Sequence, residues 1–407
     1  MPSETLDYHR DIVMEYPIDD DPTYLQELYT LRFKRPVITG IVVGLAYIGN
    51  VAGPLIGGGL TQYATWRWCF WINLPIGGIA SAIILLTAIT RHQTKHVGFL
   101  ELLSLLDLLG FSLLASAVIM ILLVMHYGGS AYQWNSSVVI GLFCGCGVTT
   151  IAFVFWERRR KEKAMMPLLL LANRVVWSSS LVAGFMTSAL LVHSYYLPIY
   201  FQAVKNMSPI LSGMNLLPSI LSQLLSSVLS GIYVSKTGYC LPPIILSGIL
   251  VPIGSGILSL LGPDAAAAKW IGYQILLGLG RRVGLQMPVN AVQAILDPDL
   301  LPVGVSLIVF AQTFAGSITL TVANAIFNSR LRANISHLAP QVSVDIIISA
   351  GATDFRSVVP DRYLTQVLEA YSQALSAVFY LSAALAVMYL AFSWGIGRTD
   401  VRKEIST

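Results

Sequence analysis

Apolar residues in this chain come in blocks long enough to cross a bilayer, and that length leaves few folds open. A hydrocarbon layer about 30 Å thick needs about 20 residues of helix. Blocks of that order recur over 37–60, 68–90, 103–125, 137–156, 175–200, 209–234, 241–261, 269–295, 302–327 and 374–396. A segment inside lipid must satisfy its own backbone hydrogen bonds, so only helices and closed barrels span, and these blocks are too long for barrel strands of about ten residues. The expected fold is an all-α polytopic membrane protein of about ten transmembrane helices. Composition bears on this only through its charge: 11% of residues are charged, against about 25% in soluble domains. That leaves too few ionic groups to cover a water-exposed surface.

The bases lie between the blocks and set an orientation. With the N-terminus inside, sixteen Lys and Arg fall in cytosolic segments and seven in outer ones, as the positive-inside rule requires. Three sequons, at Asn135, Asn206 and Asn334, all fall in segments assigned outside, where glycosylation takes place. Asn334, farthest from a span in the long 328–372 segment, is the first candidate. That segment, nearly apolar from Val342 to Ala350, is expected to fold against the outer face.

Several classes fall away. No basic stripe interleaves with aromatics, so nucleic acid is not a partner. Residues 1–35 hold eight acids and no apolar core, unlike a signal peptide. The four cysteines have no zinc spacing and read as structural thiols. His92 and His96 share a helical spacing, but membrane enzymes that bind metal through such boxes need several, and the chain has six scattered histidines. No metal, no cofactor and no enzyme activity is expected.

The first block carries the most informative pattern: Gly44, eight residues, Gly53-Pro54, two residues, then Gly57-Gly58. Gly49, Gly53 and Gly57 recur every fourth residue, on one helix face where a second backbone can approach. Pro54 removes a backbone donor and bends the helix. Such a helix suits an interface that rocks between two states, and tight static packing accounts for the same spacing equally well. The second block opens with Trp66-Arg67-Trp68-Cys69-Phe70-Trp71-Ile72-Asn73-Leu74-Pro75-Ile76-Gly77-Gly78. Together these motifs resemble the major facilitator superfamily, in its fourteen-spanner drug:proton antiporter group and the fungal multidrug and toxin efflux branch. The run Tyr195 to Val204 with Ser208-Pro209 and Ser212-Gly213 resembles that family's ninth and tenth helices. Gly272-Tyr273-Gln274, Gly278, Gly280, Gly284, Met287-Pro288 and Ala291-Val292-Gln293 resemble its twelfth.

The resemblance implies export of a small organic compound, a drug or a fungal toxin, driven by entry of protons. It places the protein in the plasma membrane, with the vacuolar membrane as the alternative. It also implies a division into a polar segment 1–35, two helices of an N-terminal bundle over 36–90, two linker helices over 91–174, a six-helix bundle over 175–396 and a tail over 397–407. The family's first four helices have no counterpart in residues 1–30, so the sequence as written is expected to be a shortened reading or a poorly active remnant. A non-transporting sensor and an importer of a small solute such as a siderophore are the competing readings.

Polar residues in the later blocks are the candidates for a substrate cavity: His193, Tyr196, Tyr200, Gln202, Asn215, Gln274, Gln286, Asn290, Gln293, Gln312 and Asn324. Aromatic and amide groups accept varied, partly apolar molecules, and each serves equally well as interhelical glue. No acid lies at mid-bilayer depth. Asp107, near the start of the third block, reads as an interfacial carboxylate reaching headgroups. His193 is the one group of near-neutral reference pKa inside an expected span. Arg281 and Arg282 lie about 18 Å into theirs. Adjacent residues point about 100° apart, so both cannot face one partner. Arg281 is the one expected to line the cavity and attract an anionic substrate.

Overall fold

The computed structural model describes residues 49, 52–87, 107–128, 132–160, 165, 166, 170, 172–297 and 300–397. The chain divides into Met1–Ala52, of which only the helical Gly49 and Ala52 are described, and Gly53–Thr407. Among the described residues the second unit is helical throughout, with no strand beyond a single bridge between Gly128 and Tyr132. Eight of its helices are long and apolar enough to cross a membrane.

Helix α1 covers 53–63, and a turn leads into α2, Trp68–Leu86, which buries none of its residues. Next come α3, Leu108–Tyr127, and α4, Ser137–Arg160, which pack on each other. Asp107 joins them: it caps α3 by accepting from Gly110 N at 3.0 Å and accepts from the Trp156 indole Nε1 at 2.9 Å. Asp107 is 9% exposed. The expectation of a headgroup-facing acid is therefore corrected, because the cap and the indole both consume the carboxylate inside the helix pair. His126 lies in the last turn of α3, one residue beyond the expected end of that span.

The six helices that follow form a mutually packed bundle, with two short helices beside it. Helix α5, Arg174–Ile199, starts on an Asn173 cap and contains Pro198. Proline removes one rung of the ladder, and the helix widens into a π turn over Tyr200–Val204. Asn206, at φ 56°, stops it in the left-handed region. Ser208 then caps the short helix α6, Pro209–Met214, and α7 runs over Leu217–Thr237 to a left-handed Gly238. Helices α8, Leu241–Leu258, and α9, Ala267–Gln293, follow. α9 lies deepest, against α5, α7, α8 and α10. Its polar and basic residues keep it out of the apolar eight, although its 27 residues reach about 40 Å. With α9 and the partly described first span, the ten expected spans are accounted for.

The last helices are longer than lipid requires. α10, Leu301–Leu338, has 38 residues and α12, Asp361–Ser393, has 33, or about 57 and 50 Å. Between them α11, Val344–Val358, turns at Gly351, φ 76°. This corrects the single long loop expected over 328–372. Leu331 and Ile335 are buried one turn apart on a helix whose other faces are polar, a period that a bilayer-length hydropathy reading does not register. The extensions share an aromatic core: Tyr196 to Phe327 at 5.7 Å, Phe327 to Tyr371 at 5.8 Å, and Tyr371 stacked on Phe355 at 4.7 Å.

Candidate substrate site and helix interface

The glycine motif engages through a different face from the one the spacing suggested. A methyl group added at Gly58 would stand 2.7 Å from the Pro209 carbonyl oxygen, and one at Gly213 would stand 2.5 Å from that of Pro54. Real side-chain carbons do not approach so closely, so α1 and α6 touch backbone to backbone. Gln62 extends the contact, its Oε1 accepting from Ile210 N at 3.4 Å. The contacting face is thus Pro54 and Gly58, one helical turn apart. A methyl group added at Gly53 or Gly57 would meet no described atom of another element within 4 Å. Gly49 is helical and exposed, and Gly44 lies outside the described residues.

Of the cavity candidates, the bundle brings one set together in its interior. His193 is 1% exposed, stacked on Phe379 at 5.8 Å, with Nδ1 2.6 Å from the Ala189 carbonyl and Ser382 Oγ at 3.4 Å. Arg281 from α9 reaches α5, where Nη2 donates to Leu190 O at 2.9 Å and to Ser194 Oγ at 3.2 Å. Arg282 is only half-buried, as the 100° step requires. Gln274, wholly buried, donates to Asn215 O at 2.9 Å and leaves its Oε1 without a partner. Gln202 donates to Ser212 Oγ at 3.4 Å, and Ser212 to the Pro198 carbonyl at 3.2 Å. The Asn215 amide meets Met207 Sδ at 2.6 Å.

The other candidates lie elsewhere. Tyr196 belongs to the aromatic core. Gln286 and Asn290 pair along the outer face of α9, at 3.3 Å, with Gln293 exposed one turn on. Asn324 accepts from Asn328 on an exposed face of α10, and Gln312 is half-buried on the same helix. A groove of about 340 Å³ lies between α3 and α10, and one of about 220 Å³ beside the ends of α11; neither is lined by these side chains.

Tyr200 serves the end of the bundle where α10 and α12 extend furthest. Its hydroxyl donates to Gly262 O at 2.9 Å, and three neighbours that sequence reasoning did not single out act with it. Lys205 Nζ donates to Pro263 O at 2.6 Å and Ala265 O at 2.7 Å. Ser372 donates to Leu261 O at 2.8 Å. Arg356 from α11 donates to Ala203 O and Val204 O at 3.0 and 2.9 Å, capping the carbonyls that the π turn leaves open. Burial draws Lys205 below the usual ammonium value, with Asp264 opposing, and burial also lowers Arg356.

The sequons differ in setting. Asn135 is exposed in the turn between α3 and α4, and Asn206 is exposed at its left-handed bend. Asn334 lies within α10, half-buried, its amide donating to Ala370 O at 3.4 Å.

Residues 24–320 match the Major Facilitator Superfamily. The chain belongs to that superfamily. The MFS-type transporter pigP of Monascus ruber is 48% identical over 91% of this chain and 65% of its own length. The efflux pumps mokI of Monascus pilosus and mlcE of Penicillium citrinum are 44% and 45% identical, over 90% and 92% of this chain and 70% of each pump. This major facilitator chain therefore spans about two thirds of the length of the relatives it matches. It is a multi-pass membrane protein of a transporter family, not of an enzyme family.

Proposed function

We propose that this chain exports small, partly apolar organic compounds across its membrane, driven by protons moving the other way. The observation that carries the reading is the bare-backbone contact of α1 with α6, at Gly58 and Gly213. Two helices without side chains between them form an interface that slides or tilts with little repacking, as alternating access requires. Its place in the chain suits the division above: α1 and α2 belong to an N-terminal bundle, α3 and α4 link, and α5 to α12 make the C-terminal bundle. Efflux-pump relatives at 44–45% identity support the direction of transport. The coupling group is not an acid of the described bundle, whose carboxylates all lie near helix ends or in the outer extensions.

The test is dye accumulation in a yeast strain stripped of its own pumps. Expression of the chain is expected to lower intracellular dye, an uncoupler to restore it, and Gly213→Val to abolish the effect with the protein still in the membrane. Unchanged accumulation on expression would refute export. A fluorescent fusion is expected at the plasma membrane; signal confined to the vacuolar rim would move the site of export there.

A further inference from the structure

Arg281 stands in the middle of the bundle, and among the described residues nothing neutralises it. The residue is 4% exposed, and among the described residues no carboxylate lies within 4 Å: the ion pairs there are Arg160 with Asp107 and Arg332 with Asp345. The acids flanking its helix, Asp264 and Asp297, are 17 and 16 residues away, about 25 Å along the axis. A guanidinium cannot shed its proton as lysine does, so the site stays positive. One nitrogen, Nη2, is held by Leu190 and Ser194 of α5, whereas Nε is buried with no partner. His193, next to Ser194, supplies no negative charge in either of its forms.

A buried ion without a counter-charge is costly, and buried charges are ordinarily paired or hydrogen-bonded on every side. The α5 contacts fix the orientation of the fork yet leave its charge and one donor unused. A carboxylate answers both, because its oxygen accepts from the free Nε–H and its charge cancels that of the guanidinium. Gln274 lies two turns earlier on the same face of α9, with its own buried Oε1 unpartnered, and offers an acceptor to a hydroxyl or amide of the same molecule.

From this we infer that the transported compound is an organic carboxylate whose acid group pairs with the Arg281 guanidinium. The inference rests on the export reading, since only a part of the cycle that separates the helices admits a ligand to so closed a site. It adds the class of substrate.

The test uses the full chain in phosphatidylcholine nanodiscs with a matched pair of probes, 1-naphthoate and the neutral 1-naphthamide. Naphthoate is expected to bind at least tenfold more tightly than the amide and to raise the melting temperature. Arg281→Gln is expected to erase both the preference and the shift, and Arg281→Lys, which keeps charge but loses the fork, to retain part of each. The melting temperature of ligand-free Arg281→Gln, expected at or above that of the parent, reports that the fold is intact. Equal binding of acid and amide, a preference that survives in Arg281→Gln, or no binding of either overturns the assignment. Dye efflux is scored separately. Efflux without acid preference sinks the carboxylate site alone, and acid preference without efflux sinks the export reading.

Discussion

Single side chains at the outer end of the bundle do the work of caps. Arg356 satisfies carbonyls of Ala203 and Val204 that the π turn exposes, and Lys205 holds two more in the loop before α9. Charged hydrogen bonds of this kind contribute about 1.5–3 kcal/mol each. Arg356→Gln is therefore expected to destabilise the chain by about 2 kcal/mol, read as a fall in the thermal midpoint of tryptophan fluorescence. Cys240 makes a second case. It is fully buried beside the start of α8, and burial raises its thiol from 9.0 to about 11. A raised thiol pKa lowers the thiolate fraction at neutral pH, and thiolate is the reactive form. Cys240 is expected to resist maleimide at pH 7.5 in the folded chain and to react once denatured; rapid labelling, read by mass spectrometry, would contradict its burial.

Elements meet here through small residues and through ends. α1 and α6 lack side chains where they cross, and valine at Gly58 or Gly213 would overlap a carbonyl by about 1 Å. Overpacking of this kind costs about 1–3 kcal/mol. Because the contact is local, Gly58→Val is expected to leave the main bundle folded and to weaken cross-linking between cysteines placed at Gln62 and Ile210. The α3–α4 pair depends on Asp107 as both cap and acceptor. Asp107→Ala is expected to cost about 1 kcal/mol for the cap, with more for the orphaned indole. A shift in the emission of Trp156 is the readout. The spacing of Gly49, Gly53 and Gly57 identified a helix built for close approach, but a helix has several faces. Which one meets a neighbour depends on where that neighbour lies, and the partner, Pro209 to Gly213, is about 150 residues away in sequence.

On the scale of the molecule, helices that overrun the bilayer make a second, water-facing layer. About 57 Å of α10 against a 30 Å hydrocarbon core leaves several turns outside, where α11 and the start of α12 close around Phe355 and Tyr371. The bases propose an orientation that glycosylation can test. Glycosidase treatment is expected to shift the mass of the expressed chain, and Asn135→Gln with Asn206→Gln, altering the two exposed sequons, to remove most of that shift. Loss through Asn334→Gln instead would mean that α10 frays at its outer end, since the Asn334 amide is bonded to α12.

Apolar length, the sparseness of charge and the placement of bases were enough to specify a helical membrane protein of about ten spans, because lipid imposes a one-dimensional rule that each block must meet alone, and the motifs around Gly53-Pro54 and Trp66 to Gly78 gave the family by resemblance. Tertiary structure decided the rest. Whether Tyr200 and Gln274 serve a ligand or a neighbouring carbonyl, which glycine face is in contact, and whether Arg281 has a counter-ion all depend on what lies across a helix crossing. Those pairings join residues tens to hundreds of positions apart, and a reading along the chain contains no distance between them.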